Sequence, residues 1–135
     1  MILIDTSAWV EFLRATGTRA DVDVQAALTG EIATCDPVRM EVLAGARTDH
    51  ELSSLRSLLS RAVHLPTAIS DYEEAALLYR RARASGLTVR RQIDCLIAAI
   101  AIRHGVELLH ADRDFTSIAE CSALRTSGPS VTPPA

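Results

Sequence analysis

Four acidic residues stand where a carboxylate is costly unless something holds it: Asp5, Glu41, Asp94 and Asp112. Asp5 closes the apolar run of residues 1–4, and Asp112 follows the strand expected at 106–110. Glu41 shares a helical face with Val38, Ala44 and Gly45, and Asp94 shares one with Ile97, Ala98 and Ala101. Burying an unpaired carboxylate costs several kcal/mol, so such acids have a partner or a metal. An all-oxygen donor set suits a hard divalent cation, Mg²⁺ or Mn²⁺. Such a cation activates water and steadies the charge of an in-line displacement at phosphorus, which points to hydrolysis of a phosphodiester. A strand-end aspartate alone says little, because turns favour Asp for their own reasons. Four acids at matched places say more than four caps or surface acids would.

The elements that must carry them follow from local pattern. Residues 1–4 suit a strand buried on both faces of a parallel sheet, with Thr6 and Ser7 placed to cap a helix starting near Ala8. Trp9, Phe12 and Leu13 give that helix one apolar face. A helix from Ala20 to Leu28, a strand at 32–35, and a helix entered through Asp36-Pro37 and carrying Glu41 come next. Thr48 with Glu51, and Ser70 with Glu73, read as capping boxes for two further helices, separated by a short strand at 62–65. The helix from about Gln92 to His104 presents Asp94 at its first inward position and stops at Gly105. A strand at 106–110, a short helix to about Glu120 and a weak fifth strand near 123–125 complete the pattern.

Alternating strands and helices predict one α/β domain over residues 1–126, with a central parallel sheet of four to five strands and helices on both faces. Right-handed crossovers set the carboxyl ends of all strands along one edge, where the four acids would meet. Residues 127–135 hold three of the five prolines and read as a flexible tail.

Composition narrows the function. The 135 residues are 48% hydrophobic with formal charge −3, an ordinary globular balance rather than that of a general nucleic-acid coat. All 14 basic residues are arginine, which excludes chemistry that needs a lysine. The run at 93–102 is too short to span a bilayer and contains Asp94, so no membrane association is expected. Met1 leads straight into a strand without a basic leader, and the three cysteines show no paired spacing, so a reducing cytoplasm is the expected location. Zinc is disfavoured on the same ground, and His110 is given at most a minor role. Arg90 and Arg91, just before Asp94, read either as a solvated face or as an RNA-binding rim that contacts phosphates.

The segments Ile2-Leu3-Ile4-Asp5-Thr6-Ser7, Arg39 to Gly45 around Glu41, Ile93 to Ala98 around Asp94, and His110 to Phe115 resemble the four signature segments of PIN-domain ribonucleases, in order. The small size without an added domain resembles the VapC toxins of bacterial toxin–antitoxin pairs. That resemblance implies that Asp5, Glu41, Asp94 and Asp112 are catalytic metal-binding acids, with Asp114 as a further metal-site acid and Thr6 and Ser7 as supporting hydroxyls. It also implies a Mg²⁺- or Mn²⁺-dependent endoribonuclease that often acts on transfer RNA, forms a homodimer and is neutralised by a VapB-type antitoxin. Two other readings fit in outline: a Mg²⁺-dependent phosphotransfer or receiver-like domain, and a non-catalytic PIN scaffold that binds RNA or protein. The first lacks its lysine here, and the second would be expected to have lost an acid.

Overall fold

The first strand, β1 (Ile2–Ile4), lies at the centre of the sheet, because Leu3 and Ile4 have no polar atom to show to water and are fully buried. The computed structural model describes residues 1–127. The chain runs β1, α1 (Thr6–Leu13), α2 (Arg19–Ala27), β2 (Ile32–Cys35), α3 (Asp36–Ala44), α4 (Asp49–Leu59) and β3 (Val63–Leu65). It continues through α5 (Ile69–Ala84), α6 (Gln92–His104), β4 (Glu107–Leu109), α7 (Arg113–Glu120) and β5 (Thr126–Ser127). All pairings are parallel, in the order β3-β2-β1-β4-β5.

That order sets the site. From β1 the chain moves outward through β2 to β3, then crosses back to place β4 on the other side of β1. Ligands of open α/β sheets bind at such a reversal, beyond the carboxyl ends of the two strands that flank it. Those ends carry Asp5 and Asp112. Every residue of β2 is buried, as expected of a strand covered on both faces.

The long return from β3 to β4 is made by α5 and α6, which pack on each other. Ala75, Leu78 and Ala82 recur at helical spacing on the buried face of α5. In α6, Cys95 and all of residues 97–101 are buried, so this helix is core nearly all round. Its last carbonyls are met by Gly105 in the left-handed region (φ 64°), a conformation that favours glycine. Trp9 and Phe115, both fully buried, fill the largest spaces beneath the site. Cys35 and Cys95 are buried and Cys121 is half-buried. Burial pushes the thiols of Cys35 and Cys95 up to about 12 and about 11.

Several local expectations shift. The capping pair of Thr48 and Glu51 forms at α4, with Glu51 N donating to Thr48 Oγ1 (3.1 Å), but the Glu51 carboxylate accepts from Arg47 N instead of the cap residue. At α5 the Ser70–Glu73 pair is replaced by Asp71, which accepts from Ala68 N (2.8 Å). Asp36 does not cap α3. It is the first residue of that helix, and its carboxylate accepts from the N–H and Oγ1 of Thr67, beyond the neighbouring strand β3. The fifth strand lies at Thr126–Ser127 rather than 123–125, because Leu124 is spent as a buried anchor before pairing begins. The expected tail therefore loses Ser127 to the sheet, and the remainder of that expectation lies outside the described residues.

Asp71 also holds the return crossing together. Arg103 donates to both its oxygens (Nε–Oδ1 2.7 Å, Nη2–Oδ2 2.9 Å) and to the carbonyl of Pro66 (2.6 Å). These bonds hold the Asp71 carboxyl below the usual range, although burial opposes them. A depressed carboxylate contributes stability above its unfolded pKa and loses it as pH falls through the folded one. Arg103→Gln is therefore expected to lower stability at neutral pH modestly, since the exposed arginine is partly replaced by water. Urea melts at neutral and acid pH check this: the gap to wild type should close on the acid side.

Candidate metal centre

Asp5 ends β1 and caps α1 in a single residue. Its backbone is extended (ψ 157°), and its Oδ2 accepts from Ser7 N (2.9 Å) and Ser7 Oγ (2.5 Å). Thr6 and Ser7, expected as caps, are instead the first two helical residues, because the aspartate is itself a strong N-cap and reaches their amides first. Asp5 Oδ1 is buried and has no hydrogen-bond partner. The Ser7 hydroxyl also accepts from Ala111 N (2.9 Å), so one oxygen ties the end of β1 to the end of β4.

Asp112 is built in the same way at the start of α7, where its Oδ1 accepts from Asp114 N (3.0 Å). Its own N–H donates to Nδ1 of His110 (3.2 Å), which leaves that imidazole neutral with its proton on Nε2. The His110 ring is buried against Phe115 (5.3 Å between centroids), and burial lowers its pKa. The residue given a minor role on sequence thus supports the backbone of an acid.

Asp94 stands on the first turn of α6 and is fully buried. Its Oδ1 accepts from Arg91 Nη2 (3.0 Å), while Oδ2 is buried without a partner. Burial, reinforced by the charges of Asp5 and Asp112, pushes its carboxyl up to about 7 despite Arg91. The Asp5 carboxyl is raised as well, by burial that outweighs the bonds from Ser7, with Glu41 adding to it.

Among the described residues, Asp94, Asp112 and Asp114 each offer an oxygen within 4.8 Å of the others. Asp5 and Glu41 adjoin this trio without belonging to it. Glu41 accepts from Thr6 Oγ1 (3.0 Å) and from Arg91 Nη1 (3.1 Å). Arg91 therefore bridges Glu41 to Asp94, and Arg90 bridges Asp112 (Nη2, 3.0 Å) to Asp114 (Nε, 2.9 Å). Both arginines were read either as a solvated face or as a phosphate-contacting rim; here each guanidinium spans two acids. The three-residue spacing of Arg91 and Asp94 was a sequence signal for one of these pairs, while those across 22, 24 and 50 residues left none.

Two depressions flank the acids. A groove of about 580 Å³ adjoins Thr6 and Glu41 and is lined by Trp9, Leu13 and Leu55, with Arg14 and Arg47. A polar cleft of about 260 Å³ opens beside Asp114.

Comparison with known proteins agrees with this geometry. The PIN domain profile matches residues 2–120. Ribonuclease VapC11 of Mycobacterium tuberculosis is 48% identical over 132 residues, covering 94% of this chain and 98% of that protein. This chain belongs to the PIN-domain family, among the VapC ribonucleases. Solved structures share the PIN fold at lower identity. The VapBC2 complex of Rickettsia felis, bound to a fragment of promoter DNA, superposes with a TM-score of 0.74 at 18% identity, over 96% of this chain and 100% of that one. VapC20 of Mycobacterium tuberculosis, described as a sarcin–ricin loop cleaving toxin, gives 0.68 at 16% identity, over 93% and 99%.

The PIN family implies a divalent metal, and the donor set fits one. The donors are all carboxylate oxygens, and two of them, Asp5 Oδ1 and Asp94 Oδ2, are buried with nothing to bond. Burial, with the neighbouring acids adding to it, pushes two carboxyls upward. A cation satisfies both demands.

Proposed function

We propose that this chain is a Mg²⁺- or Mn²⁺-dependent endoribonuclease, the toxin of a type II toxin–antitoxin pair, hydrolysing phosphodiester bonds of a structured RNA such as transfer RNA. The observation that carries this reading is the pair of orphaned, buried carboxylate oxygens beside the trio Asp94, Asp112 and Asp114. Asp5, Asp94, Asp112 and Asp114 would hold the metal, with Glu41 adjoining. When bound, the cation lowers the pKa of a water and offsets the charge that develops on the transferred phosphoryl group.

The chain's own residues do the remainder. Ser7 orients Asp5, and His110 holds the Asp112 backbone. Thr6 fixes Glu41, which accepts a proton from the attacking water once Arg91 has turned to phosphate. Arg90 and Arg91 are half-exposed or more, so once the acids are otherwise neutralised their guanidinium groups are free to take phosphates.

The reading extends to partners. A VapB-type antitoxin is proposed because relatives of the same fold were solved as VapBC complexes. A homodimer is proposed because α5 exposes Ile69 (91%) and Tyr72 (60%), which a second copy would cover. A cytoplasmic location goes with both; no helix of the described residues is long and apolar enough to cross a membrane.

The chain purified free of antitoxin is expected to cleave single-stranded or loop RNA with Mg²⁺ or Mn²⁺. Gel assays with labelled RNA, with and without excess chelator, decide it. Cleavage that persists in chelator, or that needs Zn²⁺, would overturn the reading. In the same assay, Arg90→Gln combined with Arg91→Gln should raise KM more than it lowers kcat.

A further inference from the structure

We infer that the polar cleft beside Asp114 is a phosphate subsite, in which Arg113, Thr88, Thr116 and Ser117 hold the RNA backbone next to the reacting phosphodiester. The inference rests on the ribonuclease reading above and names residues it does not use. The cleft is lined by Thr88, Arg90, Arg113, Asp114, Thr116, Ser117 and Glu120. Arg113, Thr116, Ser117 and Glu120 recur at helical spacing, so they form one face of α7. Thr88 and Arg90 close the opposite wall from the loop that leads into α6.

Three observations favour phosphate. Arg113 is exposed and makes no ion pair among the described residues, unlike Arg90 and Arg91 beside it. The hydroxyls of Thr88, Thr116 and Ser117 make no hydrogen bond there either. A helical Thr or Ser commonly returns its hydroxyl to the preceding turn, so these donors stand ready for an outside acceptor. No aromatic ring lines the cleft for a base to stack on, since Phe115 points into the core.

Charge agrees once the metal is counted. Asp114 belongs to both the cleft wall and the acid trio, so its charge is shared with a bound cation and with Arg90. With Asp114 shared in this way, Arg113 and Glu120 are the charges left in the cleft, which is then not net negative.

The test uses the full chain carrying Glu41→Gln, with Mn²⁺ present, which leaves the metal-holding aspartates in place so that RNA binds without being cut. Fluorescence anisotropy of a labelled single-stranded RNA is followed through a series of salt concentrations. Adding Arg113→Gln should weaken binding and lower the salt slope by about one counterion, and Arg113→Lys should keep the slope. Thr116→Val with Ser117→Ala should weaken binding at an unchanged slope. With a neutral-backbone oligomer of the same sequence, Arg113→Gln should make no difference. An unchanged slope in RNA overturns the subsite, as does an equal loss with the neutral oligomer. If Glu41→Gln binds no RNA at all, the ribonuclease reading falls and the subsite with it. If it binds and only Arg113 proves silent, the subsite alone falls. Arg113 is exposed, so matching melting curves are expected, and the lysine variant separates charge from folding.

Discussion

Asp94→Asn is expected to lower RNA cleavage by about 10³-fold or more while leaving the metal-free protein at least as stable as wild type. The substitution keeps the shape, and the amide oxygen still accepts from Arg91. The charge is what goes. In the metal-free protein that charge sits in a buried site near Asp5 and Asp112, and its carboxyl is pushed up to about 7. A carboxyl raised in the folded state contributes stability below its unfolded pKa and loses it as pH climbs through the folded one. Metal-free wild type should therefore weaken as pH rises from about 4 to 7, and Asp94→Asn should flatten that decline, gaining about 1 kcal/mol near neutrality. Asp5 is raised too, so some slope remains. Metal binds only the folded site, so millimolar Mn²⁺ should raise the wild-type Tm by mass action and the variant's far less. Melting curves of both proteins, in chelator and in Mn²⁺, across this pH range settle it. A variant that melts well below wild type in chelator would make Asp94 a structural acceptor for Arg91 and remove it from the metal site.

The acids were legible because each breaks a local rule. Asp5 interrupts an apolar run and Asp94 interrupts an apolar helical face, and such exceptions mark sites where the fold holds something in place. The strand order could not be read in the same way. Right-handed crossovers put all carboxyl ends on one edge, but nothing in residues 1–4 says that β2 and β4 lie on opposite sides of β1. The cap errors share a cause: where two polar residues compete for one helix start, tertiary partners choose between them. Asp71 takes the α5 start because Arg103 already fixes its carboxylate, and Asp36 is drawn away from α3 by Thr67. β5 is two polar residues at an edge and carries no apolar alternation to find. The arginine bridges were hidden for a geometric reason. A guanidinium reaches far and pairs across tens of residues, so a cluster before Asp94 looks the same whether it faces solvent, phosphate or acid.

Ser7→Ala should do more damage than a surface-like serine two residues from a strand suggests. Its hydroxyl donates to Asp5 Oδ2 (2.5 Å) and accepts from Ala111 N (2.9 Å), across 104 residues of sequence. Removing it leaves the Ala111 N–H without its partner at the end of β4 and takes one of two donors from a carboxylate that burial already disfavours. An unsatisfied buried group costs about 1–3 kcal/mol, so a Tm several degrees below wild type is expected. The functional loss comes from orientation. Asp5 Oδ2 would retain only Ser7 N (2.9 Å), and Oδ1, the oxygen free for a metal, would no longer be aimed by a two-point hold. Loss of a group that orients a metal ligand typically costs about 10–100-fold in metal affinity or activity. Titrating Mn²⁺ against Tm separates the two effects: the variant should start lower in chelator and need more metal for the same shift. Ser7→Thr, which keeps the hydroxyl, should recover most of the metal response. If Ser7→Ala binds Mn²⁺ as tightly as wild type and differs only in its chelator Tm, the hydroxyl is a strand tie with no part in holding Asp5.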